Sequence, residues 1–92
     1  MSNLHAMVKS DQTTIVDVRT PGEFMGGHVA DSINIPLNEI PQRLAEFRQM
    51  KQVVVCCAAG GRSYQACGYL QQNGINVADG GPWTNVNNIK NN

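Results

Sequence analysis

The run Val53-Val54-Val55-Cys56-Cys57-Ala58-Ala59-Gly60-Gly61-Arg62-Ser63 decides how the chain folds. Val53 to Cys56 is apolar without alternation, which suits a parallel strand covered on both faces. Beyond it, Ser63, Ala66, Cys67 and Leu70 fall on one face of a helix. A strand therefore gives way to a helix across a loop of small residues. The first N–H groups of a helix lack intrahelical partners, and the macrodipole adds about half a positive charge there. Gly60 and Gly61 admit backbone conformations that residues with a Cβ avoid, so several N–H groups can converge on one point. The pattern predicts an anion cradle around a sulfur, in which a thiol ionises more easily.

Two adjacent thiols compete for that place. Successive side chains of a strand point to opposite faces, and the last residue before the turn is the one that can project into the loop. That favours Cys57 as the reactive sulfur and makes Cys56 a small buried hydrophobe continuing the valine run. Cys67, on the helix face with Ala66 and Leu70, reads as packing.

The chain has 92 residues, enough for one domain with a sheet and a few helices, its core expected over residues 13–83 and residues 84–92 forming a partly disordered tail. Seven basic and seven acidic residues give zero formal net charge, which argues against nucleic-acid or membrane-surface partners. No apolar run approaches a membrane span, and Met1-Ser2-Asn3-Leu4-His5 has neither a basic leader region nor an apolar core. The expectation is a soluble cytoplasmic protein, or a periplasmic one if a leader has been removed. Three cysteines, two of them adjacent, fit neither a disulfide framework nor the paired spacing of a zinc site, so reduced thiols without metal or cofactor are expected.

Residues 1–12 carry Leu4, Met7 and Val8 at helical spacing and read as a short helix or a frayed end. Thr13 to Val18 reads as a strand, Pro21 to Phe24 as a turn entering a helical turn, and Ser32 to Ile35 as a short strand closed by Pro36. Ile40, Leu44 and Phe47 predict an amphipathic helix over Asn38 to Met50. A further helix, Ser63 to Asn73, stops at Gly74, and Ile75 to Val77 forms a last short strand. Asp79 to Trp83 reads as a turn, with Trp83 packing near the Cys57 loop, and Asn91-Asn92 as disordered. Strands alternating with helices predict an α/β fold with a central, mainly parallel sheet and helices on both faces, in which ligands sit beyond the carboxyl ends of the strands. His28 reads as a partly buried structural residue, Met7, Met25 and Met50 as gap fillers, and Asp17 with Arg19 as an ion pair anchoring a loop.

Three ordered segments resemble the rhodanese-like sulfurtransferase domain. They are Val16-Asp17-Val18-Arg19-Thr20-Pro21-Gly22-Glu23-Phe24 with Gly27-His28-Val29 and Ile33-Asn34-Ile35-Pro36; Val55 to Ser63; and Asp79-Gly80-Gly81 followed by Trp83. Small single-domain members of the phage-shock type look closest. The resemblance implies a thiosulfate sulfurtransferase in which the Cys57 thiolate takes sulfane sulfur from a small anionic donor, thiosulfate or a persulfide. The Cys57 persulfide then passes it to cyanide, a thiol or a protein acceptor. It also implies that Ala58, Ala59, Gly60, Gly61, Arg62 and Ser63 bind the donor, with Asp17 and Arg19 as supports. Two other readings stay open: a non-catalytic sulfur-carrier or interaction module, and a phosphatase or arsenate reductase built on the C-x5-R spacing of Cys56 and Arg62.

Overall fold

The β-branched run forms the middle of the sheet. In the computed structural model, which describes residues 3–92, it is strand β3 (Gln52–Cys57), buried from Val53 onward. Parallel strands β1 (Thr13–Asp17), β2 (Ile33–Asn34) and β4 (Val77–Pro82) complete the order β2-β1-β3-β4. The helices are α1 (Leu4–Lys9), α2 (Pro21–Met25), α3 (Leu44–Arg48), α4 (Gly61–Gln72) and α5 (Trp83–Lys90). The α/β expectation is met, with a fully parallel sheet. Met1 and Ser2 lie outside the described residues; the rest of the amino-terminal segment supplies α1, whose Val8 is buried.

The strand period of two sorts the core into two layers. Val53, Val55 and Cys57 join Val16, Val18, Phe47, Ala66 and Leu70 on the α4 face. Val54 and Cys56 join Val8, Ile15, Val29, Val86 and Ile89 on the face covered by α1 and α5. Each fully buried aliphatic side chain contributes about 1.5–3 kcal/mol of transfer free energy, so a helix on each face is what makes an unbroken apolar strand stable. The two adjacent cysteines thus face opposite layers, and only Cys57 ends beside the start of α4.

Several expectations about element boundaries are corrected. Asn38 to Met50 is broken into two 3-10 turns, Leu37–Glu39 and Pro41–Arg43, followed by α3. Pro41 has no N–H to continue a ladder, yet Ile40 and Phe47 are still buried, so the periodicity reported burial rather than one continuous helix. Helix α4 begins two residues before Ser63, capped by Gly60 at φ 110°, and ends before Gly74 at φ 80° as expected. Ile75 and Asn76 precede the last strand, and the segment expected to be a turn, Asp79 to Pro82, is strand β4 itself. The tail is ordered: α5 buries Val86 and Ile89, the Asn91 N–H donates to the Asn87 carbonyl, and Lys9 Nζ donates to the Asn92 carbonyl. Met7 and Met50 do fill gaps beside the core, whereas Met25 is 83% exposed.

Gly80 explains why α5 can lie so close. The β3–β4 register shifts between Val55 and Cys56, pairing Val55 with Asp79 and Cys56 with Gly81, so Gly80 is the extra residue of a bulge. A Cβ there would stand 2.5 Å from Val86 Cγ2, 2.9 Å from Val54 Cγ1 and 3.0 Å from the Val55 carbonyl. Gly80→Ala is expected to lower stability by about 1–3 kcal/mol through overpacking. Urea denaturation measures it, and an unchanged midpoint would mean that α5 does not rest on this bulge.

Candidate active site

Cys57 is the last residue of β3, and the chain turns immediately through Ala58, Ala59 and Gly60 into α4. Its Sγ accepts the Gly60 N–H at 3.0 Å and the Ser63 N–H at 3.3 Å. The positive φ of Gly60 aims these amides inward, and Ser63 Oγ, donating to the Gly60 carbonyl at 3.1 Å, braces the turn. The sulfur lies on the floor of the loop, with Cys57 1% exposed and Ala58, Ala59 and Gly61 exposed on its rim. Burial pushes the Cys57 thiol up, but hydrogen bonding from Ser63, with the N–H groups of Gly60 and Arg62, outweighs it and holds the pKa below the ordinary 9.0.

Its neighbours behave oppositely. Burial, with Asp17 nearby, pushes the Cys56 thiol up to about 12, and burial raises Cys67 as well. All three thiols are free and buried, so pKa separates them. Alkylation by iodoacetamide is expected to modify Cys57 first, its rate rising with pH to a midpoint below 9.0, because only the thiolate attacks and its fraction grows as pH passes the pKa. Peptide mass mapping across a pH series checks it; first modification at Cys56 or Cys67 would contradict the cradle. The same facts remove the C-x5-R reading: Cys56 is fully buried, pairs with Asp17 and Gly81 inside the sheet, and faces away from the α4 layer.

Arg62 does not hang free at the rim. Its Nη1 and Nη2 donate to Glu23 Oε1 and Oε2 at 2.7 and 3.0 Å, a two-pronged pair joining α4 to α2. Glu23 also caps α2, accepting from the Thr20 N–H at 3.0 Å and the Thr20 hydroxyl at 3.1 Å. Arg62 first, then the Thr20 N–H, lower the Glu23 carboxyl to about 2. Arg62, which the resemblance implies would help to bind the donor, is engaged in this ion pair. The sequence signal for it is Thr20-x-x-Glu23, a capping box that fixes Glu23 at the loop's edge.

Asp17 and Arg19 do form the anchoring ion pair. Arg19 donates from Nε to Asp17 Oδ1 and Oδ2 at 2.9 and 3.0 Å and from Nη2 to Oδ2 at 2.6 Å. Nη2 also reaches the Gly27 carbonyl at 2.7 Å, and the guanidinium lies 5.0 Å from the Trp83 ring centre. Trp83 follows Pro82, which pairs with Cys57, but its ring packs on the layer that holds Cys56 and Val86 and beside Gly27, rather than on the Cys57 loop as expected. His28 is exposed, stacked on Phe24 at 3.7 Å with Nδ1 at 2.7 Å from the Phe24 carbonyl, which replaces the partly buried role expected of it. Asn34, not singled out from the sequence, donates to the Asp17 and Arg19 carbonyls at 3.0 and 2.9 Å. Among the described residues no group of three or more His, Cys, Asp or Glu could hold a metal ion, and no helix is long and apolar enough to cross a membrane.

The middle strand of a parallel α/β sheet delivers a thiol into the amides of a helix start, an arrangement able to hold an anionic sulfur. The family is settled by similarity: the sequence profile of the rhodanese-like domain matches residues 1–86, and the chain belongs to that family. A sulfurtransferase of Allochromatium vinosum is 40% identical over 68 residues, covering 74% of this chain and 64% of the relative. The thiosulfate sulfurtransferase PspE of Escherichia coli is 41% identical over 61 residues, 64% of this chain and 59% of that one. The chain thus spans about two thirds or less of the length of these relatives. The crystal structure of a rhodanese-related protein from Thermoplasma volcanium superposes with a TM-score of 0.71 at 38% identity, covering 78% of this chain and 71% of that one.

Proposed function

We propose that the protein is a sulfurtransferase in which Cys57 carries sulfane sulfur as a persulfide. The observation that carries this reading is the convergence of the Gly60 and Ser63 N–H groups on Sγ, at 3.0 and 3.3 Å. Those donors favour the thiolate before attack and the terminal persulfide anion after it. With thiosulfate, the Cys57 thiolate attacks the outer sulfur, the new S–S bond forms, and the old one breaks to release sulfite with its electron pair. Cyanide or a thiolate then attacks the outer sulfur of the persulfide, giving thiocyanate or a new persulfide and returning the thiolate. No general base is required once the thiolate exists, which agrees with Asp17 being locked in its ion pair with Arg19.

Family membership and sulfurtransferase-named relatives support the reading. Three free cysteines suit a reducing compartment such as the cytoplasm. The test is mass spectrometry after a sulfur donor: a gain of about 32 Da, one sulfur atom, on Cys57 alone, reversed by cyanide with release of thiocyanate. No gain, or a gain on Cys56 or Cys67, overturns it. A second reading, a carrier that receives its persulfide from a partner and turns over thiosulfate negligibly, is favoured by the engagement of Arg62 with Glu23. It predicts the same mass gain without sustained thiocyanate formation.

A further inference from the structure

We propose that Glu23 sets the donor specificity of the Cys57 site: by holding Arg62 in a two-pronged ion pair it disfavours dianionic donors such as thiosulfate and leaves neutral or singly charged persulfides as the preferred class. The inference rests on the sulfurtransferase reading and names its substrate.

Charge accounting at the loop carries the argument. The groups around the sulfur are the Cys57 thiolate, the helix-start amides, the Arg62 cation and the Glu23 carboxylate, with Ala58, Ala59, Gly60 and Gly61 contributing no charge. The nearby Asp17–Arg19 pair is closed on itself, Asp17 fully buried and Arg19 5% exposed, with the spare Arg19 contacts going to the Gly27 carbonyl and Trp83. Among these described residues, neither arginine is left without a carboxylate partner. Glu23 is itself fixed from the other side by the Thr20 N–H and hydroxyl, so an anion drawing Arg62 towards the mouth does so by breaking its two hydrogen bonds to a carboxylate that stays in place. A dianion meets a thiolate and a carboxylate with one shared cation between them; its second charge has only that cation to approach, at the expense of the pair. A persulfide needs only the amides. Its transfer balances without help: the thiolate attacks the outer sulfur of R–S–SH, the donor S–S bond breaks, R–S⁻ leaves with the electron pair and takes up the proton as R–SH, and the Cys57 persulfide is left as the anion that the amides hold. Glu23 touches Arg62 and not the donor, so it is a positioning residue.

The experiment follows Cys57 loading by quenched-flow mass spectrometry with thiosulfate and with mercaptoethanol persulfide, in the wild type and in Glu23→Gln, whose amide oxygen can still accept from Thr20. The ratio of thiosulfate to persulfide loading is expected to rise about tenfold in Glu23→Gln, through a lower half-saturating thiosulfate concentration rather than a higher limiting rate, and the gain should shrink with added sodium chloride. Glu23→Asp, which restores the charge, should return the ratio to within about twofold of wild type. In the wild type, sulfate should not slow loading by mercaptoethanol persulfide beyond its ionic-strength effect. This last measurement needs no variant to fold. An unchanged ratio in a folded Glu23→Gln protein, a parallel shift for both donors, or competition by sulfate overturns the role of Glu23 while Cys57 still loads. Failure of both donors to load Cys57 overturns the sulfurtransferase reading and this inference with it.

Discussion

Replacing Cys57 by serine is expected to abolish sulfur transfer, lowering thiocyanate formation by at least about a thousandfold and eliminating the one-sulfur mass gain. The substitution changes chemistry and spares geometry. A serine Oγ can accept the same N–H groups of Gly60 and Ser63, now at 3.0 and 3.3 Å from the sulfur, so the turn into α4 should persist. What disappears is a nucleophile whose pKa is held below the ordinary thiol value, together with the polarisable atom able to hold an outer sulfur. Cys56→Ala is the counterpart. That thiol is fully buried in the layer under α1 and α5, pushed up to about 12, and its loss should leave transfer within about threefold of wild type. Steady-state thiocyanate formation together with intact mass reads both variants. Activity surviving in Cys57→Ser, or vanishing in Cys56→Ala, would place the chemistry on the wrong sulfur.

The centre of the molecule was legible because one pattern served two purposes. Val53 to Cys57 had to be apolar to lie between two helix layers, and the residues after it had to be small for amides to close on a sulfur. Strand, loop and α4 therefore follow from the sequence within two residues. The periphery was less legible for physical reasons that differ from place to place. Between Asn38 and Met50 the burial signal was right, but Pro41 divided the hydrogen bonding, which periodicity does not report. After Asp79 the glycines looked like a turn; Gly80 is in fact a bulge that lets Val86 approach Val54. Helix α5 has weak intrinsic propensity, with three asparagines among eight residues, and exists because Val86 and Ile89 are buried against the sheet and α1.

At the site itself the sequence anticipated that helix-start amides converge on Cys57 Sγ, but not the charge balance around it. Arg62 beside a thiol suggested an anion receptor. Its partner lies 39 positions earlier, on a helix whose only local clue is its own capping box. Long-range pairing of this kind is set by how α2 is laid against the start of α4, which no local spacing encodes. In the sulfurtransferase proposed above, with Arg62 engaged, the helix-start amides would be the main attraction for a donor, and selectivity would pass to the total charge the donor brings.

Asp17→Ala is expected to cost about 3–5 kcal/mol of folding stability, lowering the melting temperature by more than about 12 °C in a domain of this size. Asp17 is fully buried and accepts from the Arg19 N–H, Nε and Nη2, so its removal leaves a 5% exposed guanidinium with the Gly27 carbonyl and the Trp83 ring as its remaining partners. The loss exceeds that of a surface pair because water cannot reach the stranded charge without opening the structure. The pair also joins three parts of the fold: β1 carries Asp17, the Gly27 carbonyl ties in the end of α2, and Trp83 begins α5. If the cost comes from an uncompensated charge, removing the charge should recover it, and the double variant Asp17→Val with Arg19→Met is expected to be more stable than Asp17→Ala. Thermal and urea denaturation of the three proteins decide this. A single variant costing under about 1 kcal/mol would make the pair no more than a surface contact. A double variant less stable than the single would mean that the Arg19 contacts with Gly27 and Trp83, rather than charge neutralisation, hold this corner together.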